Sequence, residues 1–382
     1  MANTLNLGNG NWATKEDSLL AYNSENGNFK PLPFDFTRAS SATVVNKAGL
    51  IETVGSGEPR IDFKDDAKGA LLLEPTRSNL VTYSNDFSNA SWNNPSTVTA
   101  NTKISPSGLQ NADTVTSTLY KFISATNGLD YTVSAFVKKE LSSQFVLRLD
   151  LNTPNSCSFD LDTLTAGSGG KIEDYGNNWY RCSFTATATI TATGVFYLLI
   201  TSPSIYIFGA QLEQGSYATS YIPTQGSAVT RSADASSQTV PSGIIGQTEG
   251  VVYLKFYANG RSLPARSIIY LTQNGTTANR IAIQYSASGN IEGIVSSGGS
   301  TQGSVNYSFI GNVKVAFAYS SIGYELFVNG FSRGSFNGSL PLSLLQINLS
   351  QIGPLDSMNG NIDEIKLYNT RLSNAELQAL TT

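Results

Sequence analysis

A two-residue apolar period, repeated in short runs, constrains this chain more than any other feature. In Tyr131-Thr132-Val133-Ser134-Ala135-Phe136-Val137, positions 131, 133, 135 and 137 are apolar. Successive side chains of a strand point to opposite faces, so such a run buries one face and leaves the other in water. Comparable runs are Tyr120 to Ser124, Phe145 to Leu151, Ser156 to Leu161, Trp179 to Thr189, Gly194 to Thr201 and Ile205 to Leu212. A second series comprises Gly250 to Tyr257, Ser267 to Thr272, Arg280 to Ser286, Ile291 to Ser296, Val313 to Ser320, Tyr324 to Val328 and Gly360 to Tyr368. Turn formers between the runs favour antiparallel sandwiches over strands alternating with helices. The chain is therefore read as all-β, with two β-sandwiches.

The expected organisation along the chain has four parts. Residues 1–35 are read as an extended N-terminal docking arm, with Thr14-Lys15-Glu16-Asp17 capping a short helical turn and Lys30-Pro31-Leu32-Pro33 holding the backbone extended. Residues 36–77 read as a strand-rich connector, 78–235 as the first sandwich and 236–382 as the second, with a linker-like break at 232–243. The strongest hairpin signal is Asn329-Gly330, because both residues accept the positive φ of a type I′ turn. One helix is expected, at the C-terminus. There Ser373 and Glu376 have capping-box spacing, and Leu372 and Leu377 have that of a hydrophobic staple.

Charge removes several functions. Charged residues make up 14% of the chain and the net charge is −4, so nothing draws phosphate backbones to it and no nucleic-acid partner is expected. Histidine is absent, which removes the commonest general base and the usual zinc ligand. No apolar run approaches the ~20 residues of a membrane span. Residues 1–12 have neither the basic start nor the apolar core of a signal peptide, so synthesis in the cytoplasm is expected. Cys157 and Cys182 read as small buried apolar residues, with their pairing left open.

Few side chains suggest chemistry. Asp160 and Asp162, two apart on a strand, would lie about 6.5 Å apart on one face, near the spacing of an inverting glycosidase. Both facing water is the simpler reading, so no catalytic residue is assigned. Asp62, Asp65 and Asp66 lack the spacing of a calcium loop and read as a solvated turn. Alternation places Asp363 inward beside Ile365 and Leu367, where it needs a partner: backbone amides, or a structural calcium. No cofactor is otherwise required. Trp92 and Tyr307 are the candidate aromatic plates for a sugar ring.

Three groups of segments resemble bacteriophage structural proteins. The first is Phe36-Thr37-Arg38-Ala39-Ser40-Ser41, Glu58-Pro59-Arg60-Ile61-Asp62-Phe63 and Leu71-Leu72-Leu73-Glu74-Pro75-Thr76-Arg77-Ser78-Asn79-Leu80. The second is Asn178-Trp179-Tyr180-Arg181-Cys182, Phe208-Gly209-Ala210-Gln211-Leu212-Glu213-Gln214-Gly215, Thr219-Ser220-Tyr221-Ile222-Pro223 and Thr230-Arg231-Ser232-Ala233-Asp234. Both are similar to the carbohydrate-binding-module-like sandwich of phage tail and fibre proteins. The third, Phe327-Val328-Asn329-Gly330 with Gly360-Asn361-Ile362-Asp363-Glu364-Ile365-Lys366-Leu367-Tyr368, resembles the laminin-G-like, concanavalin-A-like lectin fold. The resemblance implies jelly-roll sandwiches in a non-enzymatic virion protein, a fibre or adhesion component that meets a host-surface glycan. It also implies a homo-oligomer, with a trimer the first expectation, and attachment to other virion proteins through the arm. A purely architectural head or tail decoration protein is the first alternative, and a glycan hydrolase the second.

Overall fold

The computed structural model describes residues 3–10, 12–15, 18–23, 28–200, 203–258, 266–341, 343–350 and 356–382. It is all-β, with antiparallel sheets and one α-helix among the described residues. The chain divides into two compact units. One comprises Met1–Ser41, Val54–Thr76 and Ser232–Thr382, and the other Ala42–Thr53 and Arg77–Arg231.

In the first unit, one sheet runs in the order Phe331–Phe336, Gly323–Val328, Gly311–Ser320, Glu249–Ala258, Gly360–Tyr368. Leu5–Gly8 and Ala70–Leu73 pair along the far edge of Gly360–Tyr368. The facing sheet runs Ser300–Tyr307, Ile291–Ser297, Arg280–Tyr285, Arg266–Thr272, Gln346–Ser350, Ala235–Thr239, Asn28–Thr37, Ser18–Asn23, Ala13–Lys15. Inward positions of both sheets, among them Leu254, Phe317, Leu326, Ile283 and Leu349, form one buried core. The helix Asn374–Thr381 covers the outer face of the first sheet. Ser373 and Glu376 make the reciprocal capping box, and Leu372 and Leu377 pack with Val251, Tyr253, Ala316, Ala318 and Phe327. Asn329 and Gly330 have φ of 48° and 79°, as a type I′ turn demands.

The expected boundaries change. The described part of residues 1–35 does not stand apart as an arm: Leu5, Leu7, Leu19 and Phe34 lie in the core of the first unit, on strands hydrogen-bonded into its sheets. Near Thr14, where a helical turn was expected, Ala13–Lys15 is a strand paired antiparallel with Ser18–Asn23, and Glu16 and Asp17 lie outside the described residues. The linker-like break holds the strand Ala235–Thr239, paired on both sides. The connector divides between the units. These short segments carry little local pattern, and the pairings that place Leu5–Gly8, Asn28–Thr37 and Ala235–Thr239 in the sheets reach partners more than 100 residues away in sequence.

Residues of the first two resemblance groups build a buried ionic clasp. The Arg38, Arg60 and Asp234 side chains have no exposure and Glu74 has 3%. Asp234 accepts from Arg38 Nη1 at 3.1 Å, from Arg60 Nη2 and from the Glu74 backbone N–H at 2.8 Å, while Arg60 Nη1 donates to Glu74 at 2.7 Å. Arg38 also donates to the carbonyls of Ser40, Gly55 and Glu58. Burial works against the charge on Arg60, and Asp234 and Glu74 more than offset it, holding its pKa above the ordinary value.

The second unit is a sandwich of a six-stranded and a five-stranded sheet. The first runs Val98–Ile104, Gln110–Val115, Ile205–Gln214, Asp130–Lys139, Tyr180–Thr187, Gly170–Asp174, and the second Leu119–Ala125, Ala192–Leu199, Gln144–Asp150, Pro154–Asp160, Thr165–Ala166. Cys157 and Cys182 are free thiols in the core between them, and burial pushes both pKa values up. The hairpin Ala42–Val45 with Ile51–Val54 sends Val45 and Ile51 onto the outer face of the six-stranded sheet, against Phe136, Trp179, Phe208 and Tyr221. Arg77–Asn79 pairs with Val229–Arg231, bringing the ends of this unit together.

Candidate functional site

The outer face of the five-stranded sheet departs from the usual rule that outward strand positions are polar. On Leu119–Ala125, Leu119, Lys121 and Ile123 turn inward, which leaves Tyr120, Phe122 and Ser124 outside. On Ala192–Leu199, Phe196 and Leu198 are core residues and Val195, Tyr197 and Leu199 face out. On Gln144–Asp150, Phe145, Leu147 and Leu149 are inside, and Val146, Arg148 and Asp150 outside. Gly194 lets two of these strands come close, because a Cβ there would lie 2.6 Å from the Asp150 carbonyl oxygen.

Register sets these residues in rows. Tyr120 lies opposite Tyr197, Tyr197 opposite Arg148, and Arg148 opposite Ser156. In the next row Phe122 faces Val195, and Val195 faces Asp150. The Tyr120 and Tyr197 rings lie 5.5 Å apart at 31°, and Phe122 stands nearly perpendicular to Tyr120 at 5.9 Å. Phe122 is 60% exposed. The Arg148 guanidinium sits 5.3 Å over the Tyr197 ring and donates to both Asp150 oxygens, Nε at 2.7 Å and Nη2 at 2.8 Å. That hydrogen-bonded carboxylate raises the Arg148 pKa. Toward the other edge the face turns polar with Ser156, Ser158, and the Gln144 amide donating to Asp160 at 3.1 Å. The face thus joins an aromatic end to an end of donors and acceptors. A π face attracts the weakly positive C–H groups of a sugar ring, and the polar end suits hydroxyls.

The sequence candidates lie elsewhere. Trp92 is 1% exposed, packed on Phe87 and Phe196, with its indole N–H donating to the Tyr83 carbonyl; it is a core residue and no sugar plate. Tyr307 is half-buried against the core of the first unit, with the Arg333 guanidinium 4.0 Å over its ring and Phe309 stacked at 6.5 Å. Its ring is engaged within its own unit. Asp363 does not point inward. A β-bulge falls between the pairs Lys255–Glu364 and Phe256–Ile362, which resets the alternation so that Ile362 and Ile365 both reach the core. The Asp363 carboxylate meets Lys255 Nζ on the neighbouring strand at 3.1 Å. Burial raises its pKa, opposed by Lys255. No three His, Cys, Asp or Glu side chains gather to hold a metal among the described residues. Asp160 and Asp162 do not form a carboxylate pair on one strand face. Asp160 accepts the backbone N–H groups of Asp162 and Thr163 in the turn, and Asp162 pairs with Lys139 at 2.6 Å. Those backbone bonds and Gln144 lower the Asp160 pKa, opposite to what a general acid needs.

The signal that marks the aromatic face is present in the sequence: Tyr120 and Phe122 occupy alternate, outward positions of one strand. Only the register brings Tyr197 and Arg148 beside Tyr120 and Phe122, so Trp92 and Tyr307 stand out in the sequence instead.

No family model matches the chain, and no curated protein matches it. Among solved structures, it is similar to a botulinum neurotoxin type C structure whose cell entry depends on two ganglioside molecules, at 15% identity over 39% of each chain and a TM-score of 0.33. The binding domain of botulinum neurotoxin DC in complex with rat synaptotagmin II matches at 14% identity over 39% of each chain, TM-score 0.33. A leech intramolecular trans-sialidase matches at 18% identity over 36% of this chain and 23% of its own, TM-score 0.29. This chain therefore spans well under half of these proteins. At such overlap, function has to be argued from its own residues.

Proposed function

We propose that this chain is a non-enzymatic, glycan-binding structural protein that holds a sugar on the outer face of its five-stranded sheet. The observation that carries the reading is the row Tyr120, Tyr197, Arg148 with the open Phe122 ring beside it. Exposed aromatic area next to a fixed donor–acceptor pair is the make-up of polar, wet recognition surfaces. The virion setting, as a fibre or adhesion component meeting a host surface, is supported by the phage-like motifs. Homo-oligomeric assembly, with a trimer first, rests on the same motifs. Asp363 has Lys255 as its ionic partner.

A glycan array with the full chain tests the proposal. Binding is expected to fall at least about tenfold in Phe122→Ala and Tyr197→Ala, as losing one stacking contact of 1.4 kcal/mol or more requires. Melting temperatures should stay near that of the parent, because both rings sit on an outer face. Absence of glycan binding would favour the architectural alternative, and reducing-sugar release from host polysaccharide would favour the hydrolase.

A further inference from the structure

We infer that the aromatic face selects neutral over acidic glycans, an inference that rests on the proposed glycan-binding role. The charges on that face decide it. Asp150 engages Arg148 through two parallel hydrogen bonds at 2.7 and 2.8 Å, so the pair presents no net charge. Asp160 adds a carboxylate from the neighbouring strand, and Gln144, its hydrogen-bond partner there, is neutral. Lys121 is on the first strand of the sheet but turns inward, where its Nζ donates to the Ser91 carbonyl at 3.0 Å and lies 5.6 Å from the Trp92 ring. Lys139 belongs to the six-stranded sheet and is held by Asp162. The other outward residues of these strands, among them Tyr120, Phe122, Val146, Val195, Tyr197 and Leu199, are uncharged. Among the described residues, the outer face therefore carries one cation and two carboxylates.

A sialic or uronic acid placed on the Tyr197 ring would bring its carboxylate to Arg148 beside that of Asp150, which already holds Nε and Nη2. Like charges at such range repel, and Asp150 already takes the Nε–Nη2 edge of the guanidinium. Hydroxyl pairs of a neutral sugar meet no such penalty. They can donate to the Asp150 oxygens while the apolar face of the ring covers Phe122 or Tyr120. Selection here comes from a repulsive element as much as from an attractive one.

The test compares neutral glucose- and galactose-based oligosaccharides with sialylated and uronic-acid counterparts on one array, using the parent chain, Phe122→Ala and Asp150→Asn. The parent should bind neutral probes at least tenfold more tightly than acidic ones, and Phe122→Ala should lose that binding. Asp150→Asn removes one carboxylate and frees the guanidinium fork, so its ratio of acidic to neutral binding should rise at least tenfold at an unchanged melting temperature. Acidic probes bound best by the parent, with binding still lost in Phe122→Ala, would overturn the selectivity while leaving the site intact. An unchanged ratio in Asp150→Asn would likewise overturn it. Binding to no probe, or binding indifferent to Phe122→Ala, would remove the glycan site itself and this inference with it.

Discussion

Asp234→Asn is the sharpest probe of what holds the first unit together. In the folded protein the carboxylate serves two guanidinium groups and one backbone N–H, all without solvent exposure. The amide keeps the size but loses the charge, and its NH2 must face a donor. Arg38 and Arg60 are then left with Glu74 as the one remaining anion of the clasp. Breaking a buried ion pair by removing one partner costs about 3–5 kcal/mol. The lower end applies, because Arg60 keeps Glu74 and Arg38 keeps three carbonyls. With a shift of about 2–4 °C per kcal/mol for a body of this size, the melting temperature of the first unit should fall by roughly 6–12 °C. Scanning calorimetry of the full chain reads this directly. The second unit, whose residues end at Arg231, should keep its transition. A drop below about 2 °C in the first unit would mean that the clasp contributes no net stability, and the reasoning would fail.

Two further outcomes follow from the packing and the titrating groups. Deleting residues 1–33 removes Leu5, Leu7 and Leu19 from the first core, at about 2–5 kcal/mol each by truncation alone, so the first unit should unfold or aggregate; a native circular-dichroism spectrum with a cooperative melt would contradict this. Asp113 is 2% exposed, and burial raises its pKa despite the N–H groups of Phe87 and Asn101, with Asp86 adding repulsion. Its folded form binds the proton more readily than its unfolded form, so its contribution is greatest below the ordinary carboxylate pKa and lost as pH rises through the raised value. Urea unfolding of the parent and Asp113→Asn from about pH 7 to about pH 4 should show the difference shifting toward the parent as pH falls, and a constant difference would refute it.

How much of this was legible in the sequence follows from the range of the interactions. Alternation within a strand is local, so Asp130–Lys139, Gln144–Asp150 and Gly360–Tyr368 were expected within a residue or two of where they form. The Asn329-Gly330 turn and the Ser373–Glu376 capping box are settled within four residues of chain, and both appeared as expected. The candidate site lies at the other extreme. Tyr120, Arg148 and Tyr197 become neighbours only through strand register, and no local pattern encodes which strand pairs with which. The bulge at Asp363 is likewise a property of a pair of strands, and it reversed the face to which that carboxylate was assigned. Arg38, Arg60, Glu74 and Asp234 stood out as motif residues, yet their meaning as a buried clasp needed the pairing of Asp234 with residues 160 or more positions earlier in sequence. The sequence alone determined that the chain forms strands, where most of them lie and how its last helix is capped. Only the tertiary structure decided that the first strands belong to the unit made by the last, because chain ends meet through long-range pairing that leaves no periodic trace.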